Sequence, residues 1–274
     1  MKEVSGNNNC HDKIVDSAGN DNSSSSIHSE WEHISIQQNN NIAYNGDIGR
    51  LRKEFCESFI ANKQKVFEKI NQEQKRKTIY EDITCHKGCA NCCVLSVGAS
   101  IQEGESIVYY LYQNKDLLNY FLMAYPNWRA KVKSHEHLFH KEPPCDAKTN
   151  ANIACGFQYK IIDDLAEYAY SRLNITCPFL RDGVCSIYEV RPLVCAGLIA
   201  TTPSERCNPQ SKERARQYQI TNDYFIDDTD TYKFYVKDLK KPIWSIMPIM
   251  VYNILVYGLE WVLAVTGIDN NEKM

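Results

Sequence analysis

Eight cysteines fall into two short groups, and whatever fold the chain adopts must place their thiols. The first group is CHKGCANCC, with Cys85, Cys89, Cys92 and Cys93. The second is CPFLRDGVCSIYEVRPLVC, with Cys177, Cys185 and Cys195, followed by Cys207 in ERCNP. Gaps of three, two and zero residues make the first group a set of tight loops. Gaps of seven, nine and eleven in the second are too wide for one knuckle but suit ligands on successive turns. Neither stretch carries an obvious apolar core of its own.

The chemistry of thiols narrows the choices. The first twenty residues, MKEVSGNNNCHDKIVDSAGN, hold no apolar run of the kind a secretory signal needs, so a reducing cytoplasm is the expected compartment. There, short-spaced cysteines are expected as metal ligands rather than disulfides. Zinc takes four thiolates at about 2.3 Å, and iron–sulfur clusters also take four cysteines. Four thiolates on a divalent ion leave a charge near −2, which needs donors around it. Arg181, Arg191 and Arg206, with the amides near Gly88 and Gly183, are candidates for that role. Cys92 and Cys93 pose a geometric problem, because adjacent side chains diverge and rarely reach one small ion. Serving a second metal, bridging, and remaining a reactive thiol all stay open for one of them.

Charge excludes other functions. A net charge of −3, with Lys75-Arg76-Lys77 as the longest basic run, offers no surface for nucleic acid. No glycine-rich nucleotide loop, Walker motif or Ser/His/Asp arrangement is present.

Along the chain, residues 1–46 are rich in Asn, Ser, Gln and Asp and are expected to be a disordered tail in which Cys10 and His11 are incidental. A helical domain is expected over 47–268, with metal-binding loops at 85–93 and 177–207. Ile48, Leu51, Phe55, Phe59, Val66 and Ile70 recur at helical spacing to about Gln74, with Cys56 as a small core residue. Ser100 and Glu103 form an S-x-x-E capping box opening a helix to about Asn114, after a short extended VLSVGA. Further helices are expected over DLLNYFLMAY and NWRAKVKSHEHLFHK up to Pro143-Pro144, over about 153–173, and around 211–219. The apolar run 242–267 carries Pro248, Asn253 and Glu260, which fit a buried helix better than a membrane span. The fold class is therefore mainly α: a helical domain with two Cys-rich irregular loops converging on a metal site.

C-x3-C-x2-C on its own is the signature of radical S-adenosylmethionine enzymes. Their partial barrel requires repeated βα units downstream, whereas helices follow here. A different resemblance covers both loops, over about residues 80–210. C-x3-C-x2-C-C, the C-P-F-L segment, the Asp182-Gly183 turn and C-x-I-Y-x-x-R-P-x-x-C resemble the YkgJ-type cysteine-cluster family of zinc- or iron-chelating proteins. The chain also distantly resembles the flagellin lysine N-methylases, which share the cysteine pattern. The resemblance implies Cys85, Cys89, Cys92, Cys93, Cys177, Cys185, Cys195 and Cys207 as metal ligands and zinc or an iron–sulfur cluster as cofactor. Its alternative is a metal-dependent protein-lysine methyltransferase using S-adenosylmethionine, with a protein substrate as partner. Ala196 departs from the arginine common after the R-P-x-x-C cysteine, so no basic group at that point is implied.

Tyr188, Arg191 and Pro192 are expected to shape the second loop rather than to catalyse. His135, His137 and His140 read as solvated helix histidines, and Cys145 and Cys155 have no metal-site spacing.

Overall fold

The computed structural model describes residues 44–77, 82–142, 158–219 and 243–266. Nearly all of the tail expected over 1–46, including Cys10 and His11, lies outside them, as do Cys145 and Cys155.

The first periodic segment is a 32-residue helix, α1 (Gly46–Lys77). Its stripe buries Phe59, Val66 and Ile70, and Cys56 is a fully buried core residue. The same face also buries Arg52, Lys63 and Gln74, which hydrophobic periodicity does not count. β1 (Gly98–Ser100) then leads into α2 (Ile101–Gln113) through the expected capping box. The Glu103 amide donates to Ser100 Oγ at 3.2 Å, and the Ser100 amide donates to Glu103 Oε2 at 3.0 Å. α2 is buried on almost every side, so Gln102, Glu103 and Glu105 are interior.

α3 (Lys115–Lys133) stops well short of the double proline. A 3₁₀ turn (Glu136–Leu138) follows, and then β2 (Phe139–Glu142) pairs antiparallel with β3 (Gln158–Ile161). These two strands replace helix expected at both places. Pairing decides the matter, because the two segments lie in antiparallel register from Phe139 opposite Ile161 to Glu142 opposite Gln158, and each buries one aromatic side chain, Phe139 and Tyr159. The helix expected over 153–173 is only α4 (Asp164–Arg172), started by Asp163, whose carboxylate accepts from the Ala166 amide at 2.8 Å.

The second cysteine loop is more ordered than an irregular stretch. It holds a hairpin of β4 (Leu180–Arg181) and β5 (Val184–Cys185), a 3₁₀ turn (Tyr188–Val190), the short helix α5 (Leu193–Gly197), β6 (Leu198–Ala200) and a 3₁₀ turn (Ser204–Cys207). Asp182 and Gly183 take φ of +51° and +77°, the left-handed pair that a two-residue hairpin turn requires. The charged helix expected around 211–219 is instead irregular and ends in β7 (Gln217–Gln219), antiparallel to β6. That segment has no apolar stripe to bury as a helix, whereas Tyr218 pairs in register with buried Ile199.

β8 (Trp244–Ile246) pairs with β1 and feeds α6 (Met247–Thr266), which bends at Gly258 with φ +60°. α6 packs its Met250, Ile254 and Leu255 against the core. Contact with α2 is close at Gly104, where an added Cβ would stand 2.5 Å from Met250 Cγ. No described helix is long and apolar enough to cross a membrane. The protein is mainly α, its described strands forming four two-stranded antiparallel sheets, with a main apolar core and a smaller cluster of Val66, Phe67, Ile70 and Leu193.

Candidate metal centre

The second loop is anchored by apolar residues that its cysteines flank. Phe179, from C-P-F-L, is 1% exposed and stacks on Phe121 of α3 with ring centroids 4.3 Å apart. Ile187 and Val190 are buried in the same cluster, and Leu193 packs in a second one with Val66, Phe67 and Ile70 of α1. Tyr120 Oη donates to the Leu180 carbonyl at 2.5 Å. These contacts explain why the cysteine loop needs no core of its own.

α1 grips the same loop through its polar residues, Lys63 and Gln74 buried and Gln64 partly exposed. Lys63 Nζ donates to the Val190 carbonyl at 2.9 Å, Gln64 to the Glu189 carbonyl at 2.7 Å and Gln74 to the Ala196 carbonyl at 3.2 Å. Glu103 joins the clamp, its Oε1 accepting from the Leu193 amide at 2.8 Å and lying 3.9 Å from Lys63 Nζ. Burial lowers the Lys63 ammonium to a pKa of about 8 despite that carboxylate.

Hydrogen bonds tie the two cysteine loops together. The Cys177 amide donates to the Cys93 carbonyl at 2.8 Å, and the Thr84 amide donates to the Ala200 carbonyl at 2.9 Å. Between them lies a cavity of about 400 Å³. Cys85, Cys89, Cys92 and Cys93 line it from the first loop, and Cys177, Cys185 and Cys195 from the second. Trp128, Tyr170, Phe179 and Met247 form its apolar wall. Cys207 is buried and does not line the cavity, but it lies close enough to Cys85 for the two thiols to interact electrostatically. All nine described cysteines, these eight and Cys56, are free thiols. Among the described residues, no three His, Cys, Asp or Glu side chains stand together as ligands of one ion.

Most of these thiols are held protonated. Its hydrogen bond to Cys93, then burial, raises Cys92; burial first, and neighbouring thiols second, raises Cys177 and Cys195. Burial pushes Cys207 up to about 11. Backbone amides oppose this at three sulfurs. Ala200 N–H donates to Cys85 Sγ at 3.2 Å, and the amides of Phe179 and Ile187 donate to Cys177 and Cys185, each two residues along from its cysteine. Such donors favour the ionised form, the form a metal binds. Gly88 and Gly183 serve as turn residues with φ of +92° and +77°.

Of the three arginines considered, only Arg191 reaches the thiols. It lies 3.6 Å above the Tyr188 ring and 5.3 Å from Phe67, donates to the Tyr188 carbonyl at 2.7 Å, and lowers the Cys185 and Cys195 thiols. Arg181 pairs with Asp182 at 3.7 Å and Arg206 with Glu213 at 2.6 Å. His135 is engaged with the Lys131 carbonyl at 3.0 Å just past the end of α3 and does not line the cavity. Sequence reasoning missed Lys63, Glu103 in its second role, and Glu167, a cavity carboxylate that accepts from the Ser96 amide at 3.1 Å and is raised by burial. For Lys63 and Glu103 no local motif signals partners 127 and 90 residues away, respectively. The chain matches no protein-family model, no curated protein and no solved structure.

Proposed function

We propose that the protein binds metal through thiolates drawn from both loops, as zinc or as an iron–sulfur cluster, with Cys85, Cys89, Cys92, Cys93, Cys177, Cys185, Cys195 and Cys207 as the ligand set. The observation that carries this reading is the treatment of sulfur at the cavity. Seven free thiols share one space, amides donate to three sulfurs, and Arg191 adds positive charge at two. Burial and crowding penalise these sulfurs only as thiolates, and a bound cation would turn the same crowding into ligation. Metal binding would also fasten the two loops that meet there, so the metal contributes folding energy.

The test is anaerobic purification with elemental analysis and visible and EPR spectroscopy. Bound zinc or iron, lost on changing Cys177 or Cys195, is the expected result. A fully reduced chain that takes up neither metal, while all its thiols titrate freely with a thiol reagent, overturns the reading.

A further inference from the structure

We propose that the cavity between the cysteine loops also takes a small organic cation, an ammonium group on an apolar body, with Glu167 meeting its charge and the wall of Trp128 and Tyr170 meeting its body. The inference goes beyond metal binding and does not depend on what the thiols hold.

The cavity is larger and less polar than a thiolate centre requires. Its volume of about 400 Å³ falls among small-molecule sites, which run from roughly 300 to 1,000 Å³. An ion held by sulfur makes no use of the apolar wall, where Trp128 of α3, Tyr170 of α4, and Ile246, Met247 and Pro248 at the passage from β8 into α6 are all buried. Asn71 and His86 line the same cavity and are exposed, so it reaches solvent.

Glu167 supplies the charge. α4 carries Glu167 and Tyr170 one turn apart, so both fall on its cavity side. Among the described residues, Glu167 is the only carboxylate on the lining. Its Oε1 accepts from the Ser96 amide at 3.1 Å, which fixes the group in place and leaves Oε2 without a hydrogen-bond partner among the described residues. No described Lys, Arg or His pairs with it, whereas Glu103, Glu105 and Glu136 each have a cation within 4 Å. Glu167 lies in the first turn of its helix, where the helix dipole favours an ionised carboxylate, and Asp163 and Asp164 add negative charge at the same end.

The surroundings of that carboxylate select the ligand. They repel an anion, and a neutral apolar molecule would strip its water without replacing it. A hard divalent cation wants about six oxygen ligands or more and finds one carboxylate here. An ammonium donates to the open oxygen in a charge-assisted bond, and aromatic walls favour the same charge. Its apolar body displaces water from the buried wall, which adds affinity in proportion to the area covered.

Titration of the fully reduced full chain with phenethylamine at pH 7 under argon tests this, followed by calorimetry and tryptophan fluorescence. Phenethyl alcohol and hydrocinnamate serve as the neutral and anionic counterparts. One amine per chain is expected, bound at least tenfold more tightly than the alcohol, with the anion weaker than either. E167Q should bind amine and alcohol alike, and W128F should lose the fluorescence change while keeping the calorimetric binding, with far-UV circular dichroism confirming each fold. No binding of the amine, equal binding of amine and alcohol by the wild type, a preference that persists in E167Q, or a fluorescence change that survives W128F overturns the proposal. Metal content separates it from the thiolate reading. E167Q should carry as much zinc or iron as the wild type, and a loss there would make Glu167 a metal ligand and overturn the cation site. Absence of metal from the wild type overturns the thiolate reading and leaves the cation site standing. The wild-type preference for amine over alcohol decides the matter even if a variant fails to fold.

Discussion

Lys63 gives the sharpest test of how the second cysteine loop is held. Its ammonium is almost wholly buried, 3.9 Å from Glu103 and bonded to the Val190 carbonyl. Removing one partner of a buried ion pair commonly costs about 3–5 kcal/mol. The two partners should not cost the same here. A fall in the lysine pKa from 10.5 to about 8 means the folded environment disfavours the charged form by about 3 kcal/mol, Glu103 included. Lys63→Met removes that penalty and forfeits mainly the Val190 bond, so it should cost no more than about 2 kcal/mol. Glu103→Gln leaves the ammonium without its carboxylate. It also turns an NH₂ toward either the Leu193 or the Ser100 amide, since each carboxylate oxygen accepts from one of them. It should cost at least about 3 kcal/mol. The pH dependence has a definite sign. Between about pH 8 and 10.5 the unfolded chain holds a proton that folded Lys63 has released, so this group's contribution to stability rises with pH. Wild type should therefore gain on Lys63→Met across that window by up to about 3 kcal/mol, the thiols cancelling in the difference. Urea unfolding of the reduced proteins at pH 7, 8, 9 and 10 measures it. Equal costs for the two variants, or a flat difference with pH, refute the reasoning.

The other predictions concern packing and sulfur. Gly104→Ala should destabilise by about 1–3 kcal/mol in urea unfolding despite better helix propensity, because its Cβ meets Met250 Cγ at 2.5 Å. Phe179→Ala should cost about 3–5 kcal/mol and lower metal content by elemental analysis, since it removes the ring stacked on Phe121 that anchors the second loop. The metal-free protein should lose stability above about pH 8.5, because thiols such as Cys177 and Cys195 stay protonated when folded but ionise when unfolded. Zinc reverses that trend, since its ligands must be deprotonated, so the gap between zinc-loaded and metal-free melting temperatures should widen from pH 7 to pH 9.

What could be read from the sequence was local. The Ser100–Glu103 capping box and the Phe59–Val66–Ile70 stripe are repeats within one or two turns, and both appear where expected. The Asp182-Gly183 turn was equally legible, because two successive left-handed residues leave few alternatives. β2 and β3 were not, since each is four residues long and becomes a strand only by pairing with the other. Asp163 was the available signal for where α4 begins, standing three residues before Ala166 with a free carboxylate.

The buried charges of α1 were the least legible feature and bear most on the site. A periodicity argument treats Arg52, Lys63 and Gln74 as interruptions of an apolar face, yet each lies on it and bonds across the fold. Lys63 and Gln74 take main-chain carbonyls of 190–196, the stretch that carries Arg191 and ends beside Cys195. Bonds to main-chain carbonyls hold the 190–196 stretch without using Cys195 or Arg191, which leaves those side chains facing the cavity. Apolar residues at 63 and 74 would pack as well but could not satisfy those carbonyls. The polar cost carried in this helix therefore adds main-chain anchorage to the apolar contacts of Phe179, Ile187 and Val190, and the two together fix a cysteine loop without its own core.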